Sequence, residues 1–271
     1  MRKTIYEVKE PKLLGELSSP AVKEALGRTK TVVMAGGSVE THGPHLPLLA
    51  DAFQGEEFIR RVVLELDERG VPVLGGFSIP FAPNEDTLEF AGTISLRNET
   101  YMALVEDLLE SLYSHGFRYF PFIVAHEQVM GPLMAVSRAF NGKYGDARAG
   151  VLSGWYIASV IDVKTELAEG AEPLKDGHGG ELETSRVISA RPELVDLSLA
   201  GTHYPAASRE PLPWDDYPLA GGGVYAPHHS FGRRGPGGFV GDATLATADK
   251  GERAYALGVK WLADVIARDF T

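Results

Sequence analysis

The stretch AGGSVETHGPHLPLLAD, residues 35–51, follows directly on the apolar run Thr31 to Met34 and brings Glu40, His42, His45 and Asp51 within twelve residues of one another. A buried strand that ends in glycines and then presents carboxylates and imidazoles is where an open α/β sheet places its chemistry. We therefore expect a strand over 31–36 and a divalent-metal site just beyond it. The plainer alternative is a polar loop holding one hydrogen-bonded histidine.

The flanking chain supports a layered fold. Phe53, Phe58, Val62, Val63 and Leu66 recur at helical spacing and stop at Gly70, so 52–69 is expected to be a helix. Val71 to Leu74 reads as a short strand, and 81–96 (FAPNEDTLEFAGTISL) as a loop returning into another. Asn98 is placed to cap a helix over 99–114 that closes at Gly116. Tyr119 to Ala125 is a further buried strand and delivers His126. A helix over 129–140, a strand over 149–153 and helices over 181–189 and 249–269 complete the pattern. Residues 1–30 form a helical lead-in, with Ser18-Ser19-Pro20 as the start signal. Strands alternating with helices predict one α/β domain over 1–271, a single-domain αβα layered fold with a mainly parallel sheet. Residues 201–247 hold His203, Trp214, His228 and His229 among many glycines and prolines and lack periodicity. A loop of that length is expected to be functional or to lie at a subunit contact.

Composition excludes several classes. The 271 residues are 44% hydrophobic, ample for one core, and no run approaches the roughly 20 apolar residues of a membrane span. The chain has no cysteine, so thiolate chemistry and disulfides are out. A net charge of -11 with no basic stripe argues against nucleic acid as a partner and decides nothing about a small-molecule substrate, since a metal can reverse the local field. The basic residues of the first segment have no apolar core behind them, so a cytoplasmic location is expected. Neither a Gly-x-Gly-x-x-Gly turn, a Gly-x-Ser-x-Gly elbow nor His-Glu-x-x-His is present. What converges at strand ends and helix starts is Glu40 with His42, Asp51, His126, and the run HGGELETS with His178, Glu181 and Glu183. Zinc and manganese accept this mixture of imidazole and carboxylate, and a shared carboxylate can bridge two ions. His45 is expected to support the site by hydrogen bonding, Glu127 and Gln128 to line the pocket, and Trp155 and Tyr156 to form core or pocket wall.

Four stretches carry a family resemblance: GSVETHGPHLPLLAD (37–51), FAGTISL (90–96), HGGELETS (178–185) and GDATLATADKGE (241–252). Over about residues 30–260 the chain resembles the creatininase family of metal-dependent amidohydrolases. The Glu-x-His-Gly-x-His-Leu-Pro motif ending in an Asp is matched in full. The resemblance implies metal ligands at Glu40, His42, Asp51, His126 and Glu183, with Asp51 bridging. It implies one or two ions of zinc, manganese or iron, and a homohexamer. It also implies proton transfer at His178; Glu127 and Gln128, next to His126, complete the catalytic candidates. Two stretches depart from the family pattern. VAHEQV (124–129) replaces Asn-Gly-His-Gly-Gly-Asn, and Gln128 stands where creatininase proper has a glutamate. Thr87 stands where relatives have a histidine, with Ala91 in place of the proline that follows it. The expected reaction is hydrolysis at a carbonyl carbon of a small polar cyclic substrate, foremost a cyclic amide. Ring opening of a keto-inositol, peptide or formamide hydrolysis, and an inactive metal-stabilised scaffold are the alternatives.

Overall fold

In the computed structural model, which describes residues 13–153, 160–205, 231–233 and 235–271, the run Val32–Gly36 is strand β1 and every residue of it is buried. Its side chains alternate as a pleat demands. Val32 and Met34 enter one apolar cluster, Val33 and Ala35 the other. Helix α1 (Ser19–Ala25) precedes β1; α2 (Ala50–Glu68) and β2 (Leu74–Ile79) follow it. Next come α3 (Asn98–His115), β3 (Tyr119–Val124), α4 (Met130–Lys143) and β4 (Arg148–Leu152). Helices α5 (Val160–Leu167) and α6 (Glu181–Ala190) lead to a two-residue strand β5 (Thr202–His203). Its antiparallel partner β6 (Gly241–Asp242) precedes the final helix α7 (Ala248–Asp269).

The main sheet runs β2-β1-β3-β4 with every pairing parallel. Side chains of α1, α3 and α4 pack on one face around Tyr101, Phe120 and Phe122. Those of α2 and α7 pack on the other around Phe58, Tyr255 and Leu262. This is the layered α/β arrangement that the alternation of strands and helices predicts, and the carboxyl ends of β1 and β3 open toward the same side.

Some boundaries differ from expectation. The second strand begins at Leu74 rather than ending there, and it includes Gly75 and Gly76. A Cβ on Gly75 would come within 2.5 Å of Leu13 and 2.8 Å of Ile59, so the strand needs bare backbone where these side chains press on it. Asn98 is the first helical residue and not the cap; Arg97 holds that place and makes no side-chain cap bond. Residues 81–96 form a loop with one bridge, Ala82 to Ser95, in place of a strand. Buried Asn84 fixes it by donating to the Ile94 carbonyl at 2.8 Å. Pro121 lies within β3 between the Thr31–Tyr119 bridge and the Met34–Gly36 ladder, and the pairing with β1 is interrupted there because proline has no N–H to donate. The expectations for Trp155, Tyr156, Trp214, His228, His229 and the first twelve residues lie outside the described residues.

Candidate metal centre

Two strand ends and two helix starts bring the acidic and imidazole side chains together. Ala125 and His126 both donate their amides to the Gly36 carbonyl, at 2.9 and 3.1 Å, which sets the end of β3 beside the end of β1. Asp51 sits in the first turn of α2, and Glu183 in the first turn of α6. Glu40, His42, Asp51 and His126 are all buried.

Asp51 divides its oxygens. Oδ1 lies 3.1 Å from His42 Nε2, and Oδ2 lies 3.1 Å from His126 Nδ1 while accepting from Ser38 Oγ at 2.8 Å. Two sets of three ligand atoms result: Glu40, Asp51 and His126, and His42, Asp51 and Glu183. Within each set the atoms lie within 4.8 Å of one another. A third set joins Glu40, His42 and His178. The back of each ring is occupied by a backbone carbonyl. His42 Nδ1 is 3.2 Å from the Glu40 oxygen, His126 Nε2 is 3.3 Å from the Pro83 oxygen, and His178 Nε2 donates to the Thr41 oxygen. An N–H tied behind each ring leaves the lone pair of the other nitrogen facing the carboxylates, the arrangement in which histidines ligate metals. Glu40 Oε1 is buried and faces His126 Nδ1 at 2.9 Å, with no other group among the described residues donating to it. A buried carboxylate oxygen and an imidazole nitrogen facing each other at this separation can be bridged by a proton or, in its place, by a divalent cation. The donor set therefore fits a metal.

Electrostatics follow from this crowding. Burial opposes charge on His42, but Asp51 and Glu183 outweigh it and push its pKa up to about 10. Against the same penalty, Glu40 and Asp51 hold His126 well above the ordinary histidine value. Burial would raise the Asp51 carboxyl, yet His42 and His126 hold it well below the usual range; Glu40 is lowered likewise by His126 and His178. His178 is different. Burial and the neighbouring His42, stacked on it at 4.1 Å, depress its pKa and keep it neutral.

Gln54, which sequence reasoning passed over, and Thr87, noted there only as a departure from the family pattern, hold the ligands in place. Gln54, buried in α2, donates to Glu183 Oε1 at 3.1 Å and accepts from Arg186 at 2.6 Å. The Gly179 amide donates to Glu183 Oε2 at 2.7 Å. Thr87 donates to Glu40 Oε2 at 2.8 Å, which gives the loop of 81–96 a direct hand in orienting the site. Gln54 carries no signal for this in the sequence, where it reads as one more polar residue on a helix; Thr87 is marked only by standing where relatives have a histidine. His45 Nε2 lies 3.0 Å from both the Gly179 carbonyl and Thr184 Oγ1, so it ties the Glu40 loop to α6. Asp176, also passed over, is buried and accepts from the amides of Glu181 and Leu182 at 2.6 and 3.1 Å. Burial pushes its carboxyl up to about 6, against the pull of Lys164 and those two amides.

Glu181 belongs to a separate cluster. It binds the amides of Glu169 and Gly170 and pairs with Lys250. Gln128 donates its side-chain amide to Asp86, and Glu127 is in none of the three ligand sets.

The family model described as creatinine amidohydrolase matches residues 15–266. The chain is 26% identical to a creatinine amidohydrolase of Pseudomonas putida over 95% of its own length and 96% of the relative's. It is 27% identical to a mycofactocin precursor peptide peptidase of Mycobacterium tuberculosis, over 90% of this chain and 87% of that one. A crystal structure of a Bacteroides fragilis protein, provisionally described as a creatinine amidohydrolase, superimposes with a TM-score of 0.78 at 25% identity, covering 97% and 99% of the two chains.

Proposed function

The chain belongs to the creatininase family, and from that premise we propose that it is a metal-dependent hydrolase. The proposed substrate is small, polar and cyclic, and the bond cleaved is an amide C–N bond. The observation that carries the reading is Asp51, whose two buried oxygens each serve a different set of ligand atoms. In this proposal Glu40, Asp51 and His126 hold one divalent ion and His42, Asp51 and Glu183 a second, zinc, manganese or iron being suited to the mixed nitrogen and oxygen donors. Bound ions in such a pair supply an acidified water and polarisation of the substrate carbonyl.

The chain's own residues do the rest. His178 is neutral and its Nε2–H is committed to the Thr41 carbonyl, so the atom free to take a proton is Nδ1. That atom lies 3.9 Å from Glu40 Oε1, at the edge of the ligand cluster. His178 takes the proton of the attacking water there and returns it to the departing nitrogen, which an imidazole near neutrality can do in both directions. Phe231 packs on the His178 ring at 4.7 Å and fixes its plane. Thr87 and Ser38 hold the Glu40 and Asp51 oxygens, so the ligands are set before substrate arrives. Glu127 and Gln128 contribute through the pocket wall next to His126. A homohexamer in the cytoplasm is part of the same proposal, and light scattering reads the assembly.

The test is a hydrolysis screen of the metal-reconstituted protein on lactams and other cyclic amides, with formamides, short peptides and polyhydroxylated cyclic ketones as comparators. Cyclic amides should turn over best, and His178→Ala should lower kcat by about 10²–10⁴-fold, the usual worth of a positioned acid–base group. Unchanged turnover in His178→Ala rejects the proton-transfer role. A metal-loaded protein inert toward all four classes rejects the hydrolase.

A further inference from the structure

The HGG loop and the start of α6 carry His178, Glu183 and the Gly179 amide that binds Glu183, so whatever fixes this segment also aims two functional side chains. Its N-cap residue is Gly180, which has no side chain to cap with. The amides of the first turn go instead to Asp176, four residues upstream, with Oδ1 taking Glu181 and Oδ2 taking Leu182. Two glycines from distant parts of the chain close on the same carboxylate. A Cβ on Gly180 or on Gly241 would come within 2.2 Å of Asp176 Oδ1. Backbone bonds complete the joint: Gly177 N–H to Val240 O at 3.0 Å, Val240 N–H to His178 O at 2.7 Å, and Gly180 N–H to Gly177 O at 2.8 Å. Asp176 thus stands where the HGG loop, the first turn of α6 and the Val240–Gly241 segment meet, and it belongs to none of the three ligand sets.

We propose that Asp176 is a positioning residue of the metal centre: its carboxylate orients the first turn of α6 and thereby aims Glu183 at His42 and Asp51. The inference rests on the metal-centre reading. It also accounts for two glycines of the HGGELETS and GDATLATADKGE motifs that no ligand role explains. With the carboxylate removed, the Glu181 and Leu182 amides lose their acceptor and the turn is free to rotate. Glu183 Oε2, 3.6 Å from His42 Nε2, then leaves the ligand set. An asparagine keeps one acceptor oxygen for the Glu181 amide and sets an NH2 against that of Leu182, so its effect should be intermediate.

The test is a cobalt(II) titration followed by its visible absorption, on the wild-type chain, Asp176→Ala, Asp176→Asn and a Leu262→Ala control that weakens the core away from the centre. Thermal unfolding is measured on each. Loss of an outer support typically costs about 10–100-fold in metal affinity. Asp176→Ala is expected to show that loss with an altered cobalt spectrum, Asp176→Asn a smaller one, and Leu262→Ala a lower Tm with affinity within about twofold of wild type. Wild-type affinity and spectrum in both Asp176 variants overturn the proposal alone. So does an equal loss of affinity in Leu262→Ala, since it makes the effect one of general stability. If neither Asp176 variant unfolds cooperatively, the carboxylate is a folding element and the positioning role is rejected. A wild-type chain that takes up no cobalt overturns the metal-centre reading, and the proposal falls with it.

Discussion

Asp51 has one oxygen against His42 and the other against His126, and no neutral side chain of the same shape can do both. An Asp51→Asn variant keeps the volume but presents one acceptor and one NH2 group, so one of the two ligand sets loses its shared oxygen. Metal analysis of the purified variant should find at least one equivalent per subunit fewer than in wild type; equal metal content would remove Asp51 from the bridging position. The acidic and imidazole residues of the candidate site are legible in the sequence because their chemistry is unusual wherever it occurs in such density. The side chains that hold them are not. Gln54 meets Glu183 across 129 residues of chain, and Thr87 meets Glu40 across 47. Thr87 draws notice as a departure from the family pattern and Gln54 draws none, and in both cases only the folded distance reveals the pairing. His45 sits between these cases: its spacing from His42 suggests a supporting role, but its partner Thr184 is visible only in three dimensions.

Helices α6 and α7 pack so closely that Gly251 cannot carry a side chain. A Cβ there would lie 2.1 Å from the Ser185 carbonyl oxygen, a backbone atom with no rotamer to escape into. Gly251→Ala should therefore push the two helices apart and cost about 1–3 kcal/mol, the usual penalty of overpacking, even though alanine is the better helix former. Urea unfolding measures it; a stability gain from the substitution would show that the contact yields freely. The same kind of contact explains where reading by element succeeds and where it stops. β1 and β3 are recognisable because continuous apolar runs are buried on both faces. β2 is misplaced because Gly75 and Gly76 read as a break, whereas they are strand residues that admit Leu13, Ile59, Met34 and Val32. The loop of 81–96 has no period at all, and its conformation comes from Asn84 and the Ala82–Ser95 bridge rather than from local preference.

At the scale of the whole molecule, the centre couples folding, protons and metal. Without metal, His42 holds its proton up to about 10 in the folded chain against an ordinary value of 6.5, and His126 is raised in the same sense. Between those limits the folded state binds more protons than the unfolded one, so this contribution is complete below about pH 6.5 and fades as pH rises. Asp51 and Glu40 are shifted the other way, from ordinary values of 3.8 and 4.5. Their contribution is present above those values and is lost as pH falls through the depressed ones. The metal-stripped protein should therefore be most stable at mildly acidic pH, with its Tm declining from about pH 6.5 toward pH 9. Metal reverses the dependence, because an ion takes the place of the protons shared by histidine and carboxylate, and its affinity rises as those protons become easier to remove. The rise in Tm on adding a fixed excess of zinc or manganese should accordingly widen between pH 6.5 and pH 9. Calorimetry at pH 7.5 in buffers of different ionisation enthalpy should detect release of about two protons per loaded subunit, one each from His42 and His126. A metal-induced Tm shift that is flat across this range, with no protons released, would mean that the ions bind elsewhere and that the buried histidine–carboxylate cluster is a salt-bridge network of the fold alone.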